Sequence, residues 1–216
     1  MYLSNFEEYL TIINDLRDNP YGIEILLGME VDWVPNRMDE VYEFLGTFGY
    51  DYLIGSVHHA DTEYPFDHPK YMEQWDTEEK KQSIWDVYID RVYEMISSEK
   101  FDIIGHIDLP KKFGLYPKNL KYFNQKMEEC LEAAGQLGVA IELNTAGLRK
   151  PVKEIYPSMD FLKIARRHNV NVTFGADAHK PEEVAYNFDE ARKWAKQAEY
   201  TEYLCITKAG KKTVKL

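Results

Sequence analysis

Cysteine and long apolar runs are scarce in this chain of 216 residues. Its two cysteines, Cys130 and Cys205, have no paired-cysteine spacing, which excludes a cysteine-based zinc knuckle and suits a reducing compartment. No stretch approaches the roughly 20 apolar residues of a membrane-spanning helix, and the first residues lack the basic and apolar regions of a secretory signal. We therefore predict a cytoplasmic protein without membrane association.

Basic residues are also in the minority. The chain has 26 lysines and arginines against 37 aspartates and glutamates, a formal net charge of −11. Nucleic acids and anionic membranes bind basic surfaces, so neither is a predicted partner. A small phosphorylated substrate remains compatible with this charge, provided that local cations or metal ions supply the positive charge at the site.

Helix and strand patterns alternate along the whole chain, which favours a single α/β domain over residues 1–216. The first pattern is a helix with no strand before it. One further strand at the front would give a seven-stranded (β/α) barrel; without it, the sheet stays open or closes in another way. Residues 208–216 could form a hairpin or a solvated tail, and we favour the tail. Strand patterns occur at 23–33, 50–57, 101–105, 139–143, 170–174 and 202–207.

Five of these six strands end in side chains that can bind a metal ion. A parallel barrel brings the carboxyl ends of its strands to one face, so these side chains are expected to meet. Caps and turns explain Asp and Asn at strand ends but not His. The sequence therefore predicts a metal site from Glu30, His58 with His59, His106 with Asp108, Asn144, and Asp177 with His179.

Some of these residues have alternative interpretations. His58 and His59 point to opposite sides of an extended strand, and we favour His58 because it shares a face with Ser56. A solvent-facing Glu30 and a core His106 bonded to a backbone carbonyl are the alternative interpretations.

Arg149 and Lys150 follow the fourth strand closely. Cations at that end of the sheet suit an anionic substrate, and arginine can bind phosphate through two nitrogens. The alternative is a solvated basic turn.

Five segments together resemble the PHP (polymerase and histidinol phosphatase) superfamily. They are GMEVD at 28–32, GSVH at 55–58, GHID at 105–108, ELNTAGLRK at 142–150 and GADAH at 175–179. All five segments lie in the family's order, and the NTAGLRK part resembles its histidinol-phosphatase branch in particular.

This resemblance implies a distorted (β/α)7 TIM-like barrel that holds two or three divalent metal ions, Zn, Mn or Fe. The family's first motif, His-x-His on a first strand, has no counterpart here, so we expect a barrel that lacks that strand. The implied roles are metal ligation by Glu30, His58, His106, Asp177 and His179, catalysis by Glu30, Asp177 and Arg149, and substrate binding by Arg149 and Asn144.

The implied activity is hydrolysis of L-histidinol phosphate in histidine biosynthesis. Acidic residues of the loop after the second strand, Asp61, Glu63 and Asp67, are candidates to receive the amino group of this substrate. The alternatives are another PHP phosphoesterase, acting on phosphotyrosine or a nucleotide, and an inactive truncated remnant that binds only metal or a partner. A homodimer that covers the open sheet edge is a further expectation.

Overall fold

The computed structural model describes residues 3–18, 22–59 and 65–216. Its centre is a parallel sheet whose five strands lie in the order of the chain, each neighbour hydrogen-bonded to the next. This arrangement confirms the α/β class. The strands are β1 (Gly28–Asp32), β2 (Tyr52–Ser56), β3 (Ile103–Ile104), β4 (Ala140–Asn144) and β5 (Val172–Gly175).

In the described ranges, six α-helices lie between and around the strands. Their starts follow local sequence chemistry: the Thr77 hydroxyl accepts a hydrogen bond from the Lys80 amide (3.2 Å), and the Asn119 side chain accepts one from the Tyr122 amide (3.1 Å). The helices are α1 (Leu3–Asp18), α2 (Met38–Leu45), α3 (Glu78–Ser97), α4 (Leu120–Leu137), α5 (Met159–Arg167) and α6 (Phe188–Gln197).

The core is formed where α3, α4 and α5 pack together and against the sheet. Trp85, Met127, Leu131 and Leu162 are almost completely buried there. Each such side chain stabilises the fold by about 1.5–3 kcal/mol through removal of apolar surface from water. The one polar atom of the Trp85 ring is satisfied, because it donates to the Leu115 carbonyl at 2.8 Å. The helices thus hold the strands, and with them the strand ends, in fixed register.

The C-terminal segment differs from the prediction. Residues 208–216 are not a solvated tail, because β7 (Gly210–Lys215) pairs antiparallel with β6 (Glu202–Thr207). Gly210 makes this turn with a φ of +111°, and pairing with β6 satisfies the backbone of a segment whose side chains stay mostly exposed. The lysine-rich sequence has little apolar alternation, so periodicity did not reveal the strand.

The sixth predicted strand exists but lies outside the parallel sheet. Leu204 of β6 packs against Ile103 and Ala140, so the β6–β7 hairpin covers part of one face of the sheet. In the described part of the chain, no strand joins β1 to β5, and closure into a barrel is not seen. Within the same residues, no helix combines the length and apolar character needed to cross a bilayer.

Candidate metal centre

Three predicted ligands meet at the carboxyl ends of β1, β2 and β3. Glu30 lies on β1, His58 follows β2 by two residues, and His106 follows β3 by two. The potential ligand atoms of these three side chains all lie within 4.8 Å of one another. The parallel register makes this possible, since each strand delivers its C-terminal residues to the same edge.

One carboxylate oxygen faces both imidazoles. Glu30 Oε1 is 3.0 Å from His106 Nε2 and 3.8 Å from His58 Nε2, and the centres of the two imidazole rings lie 5.0 Å apart. His106 is buried, whereas Glu30 is partly open to solvent. An oxygen and two imidazole nitrogens form a donor set that suits Zn, Mn or Fe, so these residues fit the metal ions that the sequence predicts.

His106 is fixed through its backbone as well as its ring. Its amide donates to Glu142 Oε2 at 3.1 Å, and the same oxygen accepts from Asn144 Nδ2 at 2.8 Å. Glu142 is a buried carboxylate, and sequence reasoning gave it no role of its own. The signal was present, since a glutamate inside the apolar strand β4 requires buried partners.

The pKa values of the two carboxyl groups Glu30 and Glu142 are shifted in opposite directions. Burial opposes ionisation of Glu30, but the hydrogen bond and charge of His106 outweigh it and lower the pKa of Glu30 to about 2. Burial also disfavours the charged form of His106, yet Glu30 raises the pKa of that imidazole to about 9. At Glu142 burial dominates and raises the pKa of the carboxyl.

Asp177 and His179 are not part of the three-residue group. Asp177 follows β5 with a left-handed φ of 46°, and its charge is near enough to contribute to the raised pKa of His106. The His179 side chain is 77% exposed, and its Nδ1 lies 3.0 Å from the Asp177 carbonyl oxygen. The structure therefore places these two predicted ligands beside the group without bringing their side chains into it.

Arg149 holds the turn that carries Asp177. Its Nη2 donates to the carbonyls of Ala176 (2.7 Å) and Asp177 (3.2 Å), and the guanidinium lies 5.1 Å from the centre of the Tyr186 ring. Glu183 Oε2 is 3.5 Å from the same nitrogen. Nη1 is buried and has no hydrogen-bond partner among the described residues. Nη2 thus orders the turn that carries Asp177.

Asn144 organises the loop that carries Arg149. Its side-chain oxygen accepts from the Ala146 amide at 2.8 Å, and its backbone exchanges two hydrogen bonds with Tyr156, which brings the ends of the loop together. Only 1% of the Asn144 side chain is exposed. These contacts give Asn144 a positioning role, and the predicted contact with substrate stays a prediction.

Of the remaining predicted residues, His59 and Asp67 lie in the described part of the chain, and neither belongs to the group. His59 is not a member, which agrees with the choice of His58. Asp67 pairs with Lys112 at 3.1 Å. Asp61 and Glu63 lie outside the described residues.

A family model described as the PHP domain matches residues 1–146. The chain belongs to the PHP domain family. It is 36% identical over 194 residues to the "Probable histidinol-phosphatase" of Deinococcus radiodurans, with 89% of this chain and 72% of that protein covered. It is 29% identical over 204 residues to the histidinol-phosphatase of Bacillus subtilis, with 88% and 76% covered. These relatives place the chain in the histidinol-phosphatase branch.

A solved structure supports the fold of this PHP protein. The histidinol phosphate phosphatase of Lactococcus lactis subsp. lactis, complexed with Zn, L-histidinol and phosphate, superposes with a TM-score of 0.76. The match covers 96% of this chain and 79% of that chain at 20% sequence identity. At this identity the likeness establishes the fold alone.

Proposed function

We propose that this chain hydrolyses L-histidinol phosphate to L-histidinol and inorganic phosphate. The observation that carries the proposal is the convergence of Glu30, His58 and His106 on one point at the strand ends of a PHP chain. The reaction is inferred from relatives that are named histidinol-phosphatases.

Two or three divalent ions, Zn, Mn or Fe, complete the proposed centre. Glu30, His58 and His106 would hold one of them, and Asp177 and His179 are the proposed ligands for the rest. When bound, such ions lower the pKa of water toward neutrality and offset the charge of a phosphate. The chain's own part is to present Glu30, whose carboxyl group is ionised at neutral pH.

Arg149 is the proposed phosphate-binding residue. Its free Nη1 offers a hydrogen-bond donor beside the turn that carries Asp177, in a site where burial removes competition from water. A donor that is already positioned does not have to reorganise when charge develops on the phosphoryl oxygens, which favours the transition state. Asn144 supports this role because it orders the loop between β4 and Arg149.

A second candidate is a chain that binds metal without turnover. It is favoured by the position of His179, whose exposed side chain stands outside the group of three. Another PHP phosphoesterase activity is the third candidate.

A cytoplasmic location and a homodimer also remain predictions, and light scattering on the purified chain tests the dimer.

Metal content and phosphate release, measured on one sample, distinguish these candidates. The purified chain is analysed for metal and assayed with L-histidinol phosphate, a phosphotyrosine peptide and a nucleoside monophosphate, with and without added Zn or Mn. Two or three ions with turnover of L-histidinol phosphate are expected. One ion without turnover would support the metal-binding candidate, and preference for another substrate would support the third.

The variant E30Q serves as the control for this assay. The amide keeps the size of Glu30 but removes the anionic oxygen that faces both imidazoles. Activity should fall by about 100-fold or more, because the metal loses a charged ligand. Equal turnover by E30Q and the unchanged chain would place the reaction elsewhere in the molecule.

A further inference from the structure

We propose that Asp32 is a positioning residue that fixes the orientation and tautomer of His58, so that this imidazole presents Nε2 to the metal. Neither the metal group nor the predicted site residues include Asp32. The inference rests on the proposed function and concerns the same site.

Strand geometry brings Asp32 to His58. Glu30 and Asp32 are two residues apart on β1, so their side chains lie on the same face of the strand. Asp32 is the register partner of Ser56 on β2, and His58 follows Ser56 by two residues. Because side chains alternate along β1, the face that carries Glu30 also carries the Asp32 carboxylate, two residues closer to the C-terminal end of the strand.

The contacts assign different tasks to the two nitrogens of His58. Nδ1 is hydrogen-bonded to Asp32 Oδ1, while Nε2 faces Glu30 Oε1 at 3.8 Å. A carboxylate only accepts, so the hydrogen is on Nδ1 and the lone pair of Nε2 is free for a metal ion.

His106 is held by different means. Its Nδ1 has no hydrogen-bond partner among the described residues, and its ring is fixed by burial and by the bond from its amide to Glu142. His58 is more exposed than His106, so it depends on a side-chain partner for its orientation. Partners of this kind raise the basicity of the ligating nitrogen as well as orienting the ring.

Asp32 does not take the place of a ligand. Its oxygens are not among the atoms that lie within 4.8 Å of one another in the group of Glu30, His58 and His106. Its side chain is 47% exposed. It therefore stands behind His58 as seen from the other two ligands, the position expected of a residue that acts through the imidazole.

The test compares D32N with a matched charge variant, D39N. Asp39 lies exposed in the first turn of α2, so D39N makes the same chemical change away from the site. Each chain is stripped of metal and titrated with Zn by calorimetry near neutral pH. We expect D32N to lower the Zn affinity by about 10–100-fold at an unchanged number of ions per chain. D39N should stay within about twofold of the unchanged chain, because an exposed distant charge is screened by salt.

A second measurement needs neither metal nor turnover. Nitrogen-15 NMR of the metal-free chain reports which imidazole nitrogen of His58 carries the hydrogen, with the signal assigned by its loss in H58N. The hydrogen is expected on Nδ1 in the unchanged chain and in D39N, and this preference should be lost in D32N.

Equal Zn affinity of D32N and D39N would overturn the inference and leave the proposed function standing. Loss of one ion per chain with an unchanged His58 tautomer would overturn it in favour of direct ligation by Asp32. If the unchanged chain binds no Zn, the proposed function fails. The tautomer comparison then decides this inference alone, since an unchanged tautomer in D32N overturns it.

Discussion

Lys111 Nζ lies 3.0 Å from Asp108 Oδ2, and both side chains are almost completely buried. The same ammonium contacts Glu154 Oε2 at 3.0 Å and donates to the Ile155 carbonyl at 2.9 Å. Asp108 belongs to the turn after β3 that carries His106, whereas Glu154 and Ile155 lie in the loop that carries Arg149. A single buried cation therefore ties together the two segments on which the proposed site depends.

We expect K111M to lower the free energy of unfolding by about 3–5 kcal/mol, because it leaves the buried Asp108 without its charged partner. Urea denaturation measures the change. The matched control is K126M, which removes a half-buried surface lysine paired with Glu129 and should cost much less. The double variant D108N with K111M should recover part of the lost unfolding free energy, since it removes the unpaired negative charge of Asp108. A K111M chain as stable as K126M would contradict this account.

Gly175 is required for the position of Glu142. A Cβ at residue 175 would lie 1.6 Å from Glu142 Oε1, so G175A must displace the carboxylate that holds the His106 amide. We expect a loss of about 1–3 kcal/mol in unfolding free energy from this overpacking, measured by urea denaturation.

G49A is the control for that prediction, because in the described ranges no atom beyond its two chain neighbours lies within 4 Å of the site where its Cβ would be. Its stability should change little. A weaker Zn affinity in G175A but not in G49A would show that the displaced Glu142 disturbs the metal centre. Equal stability of the two variants would contradict the close approach.

Arg149 is expected to affect both binding and rate. R149A removes the free donor of Nη1 and the two bonds that order the turn at Asp177, so kcat/KM for L-histidinol phosphate should fall by about 100–1,000-fold. KM should rise and kcat should fall. The control R167A removes an exposed arginine paired with Glu128. An unchanged kcat/KM in R149A would remove Arg149 from the site.

The metal-free chain should lose stability as the pH rises above neutrality. His106 has a pKa raised from 6.5 to about 9, so its contribution is complete below pH 6.5 and disappears as the pH passes about 9. Glu30 has a pKa lowered from 4.5 to about 2, so its contribution is lost only as the pH falls below 4.5 toward 2. Thermal unfolding in a chelator at several pH values should show the alkaline decrease.

H106N should remove most of the alkaline decrease between pH 6.5 and 9, because it removes the imidazole that loses its proton in that range. An equally steep decrease in H106N would assign the effect to other groups.

Much of the fold was predictable because local chemistry settled it. The bounds of α4, Leu120–Leu137, follow from the local sequence, since its apolar periodicity is strong and Asn119 caps it. The strands follow the predicted order, but some are shorter than predicted: β1 begins at Gly28 and β3 contains only Ile103 and Ile104. Strand ends depend on where a neighbouring strand continues the ladder, and the sequence does not show that.

The candidate site was also predictable in part from the sequence. Glu30, His58 and His106 follow buried strands, and parallel pairing alone is enough to bring them together. Asp177 and His179 were placed at the correct strand end, but backbone conformation beyond β5 determines where their side chains point. The left-handed φ of Asp177 and its bond to Arg149 are features of that turn and not of its composition.

The sequence by itself determined the α/β class, the PHP motifs and the identity of the residues at the strand ends, because periodicity and motif spacing are local properties. Only the tertiary structure decided that Lys208 to Leu216 pairs in a hairpin, that Glu142 supports His106 and that Asp32 contacts His58. These depend on which residues from distant parts of the chain share an edge or an interior. Register and packing fix that relationship, and no single segment encodes it.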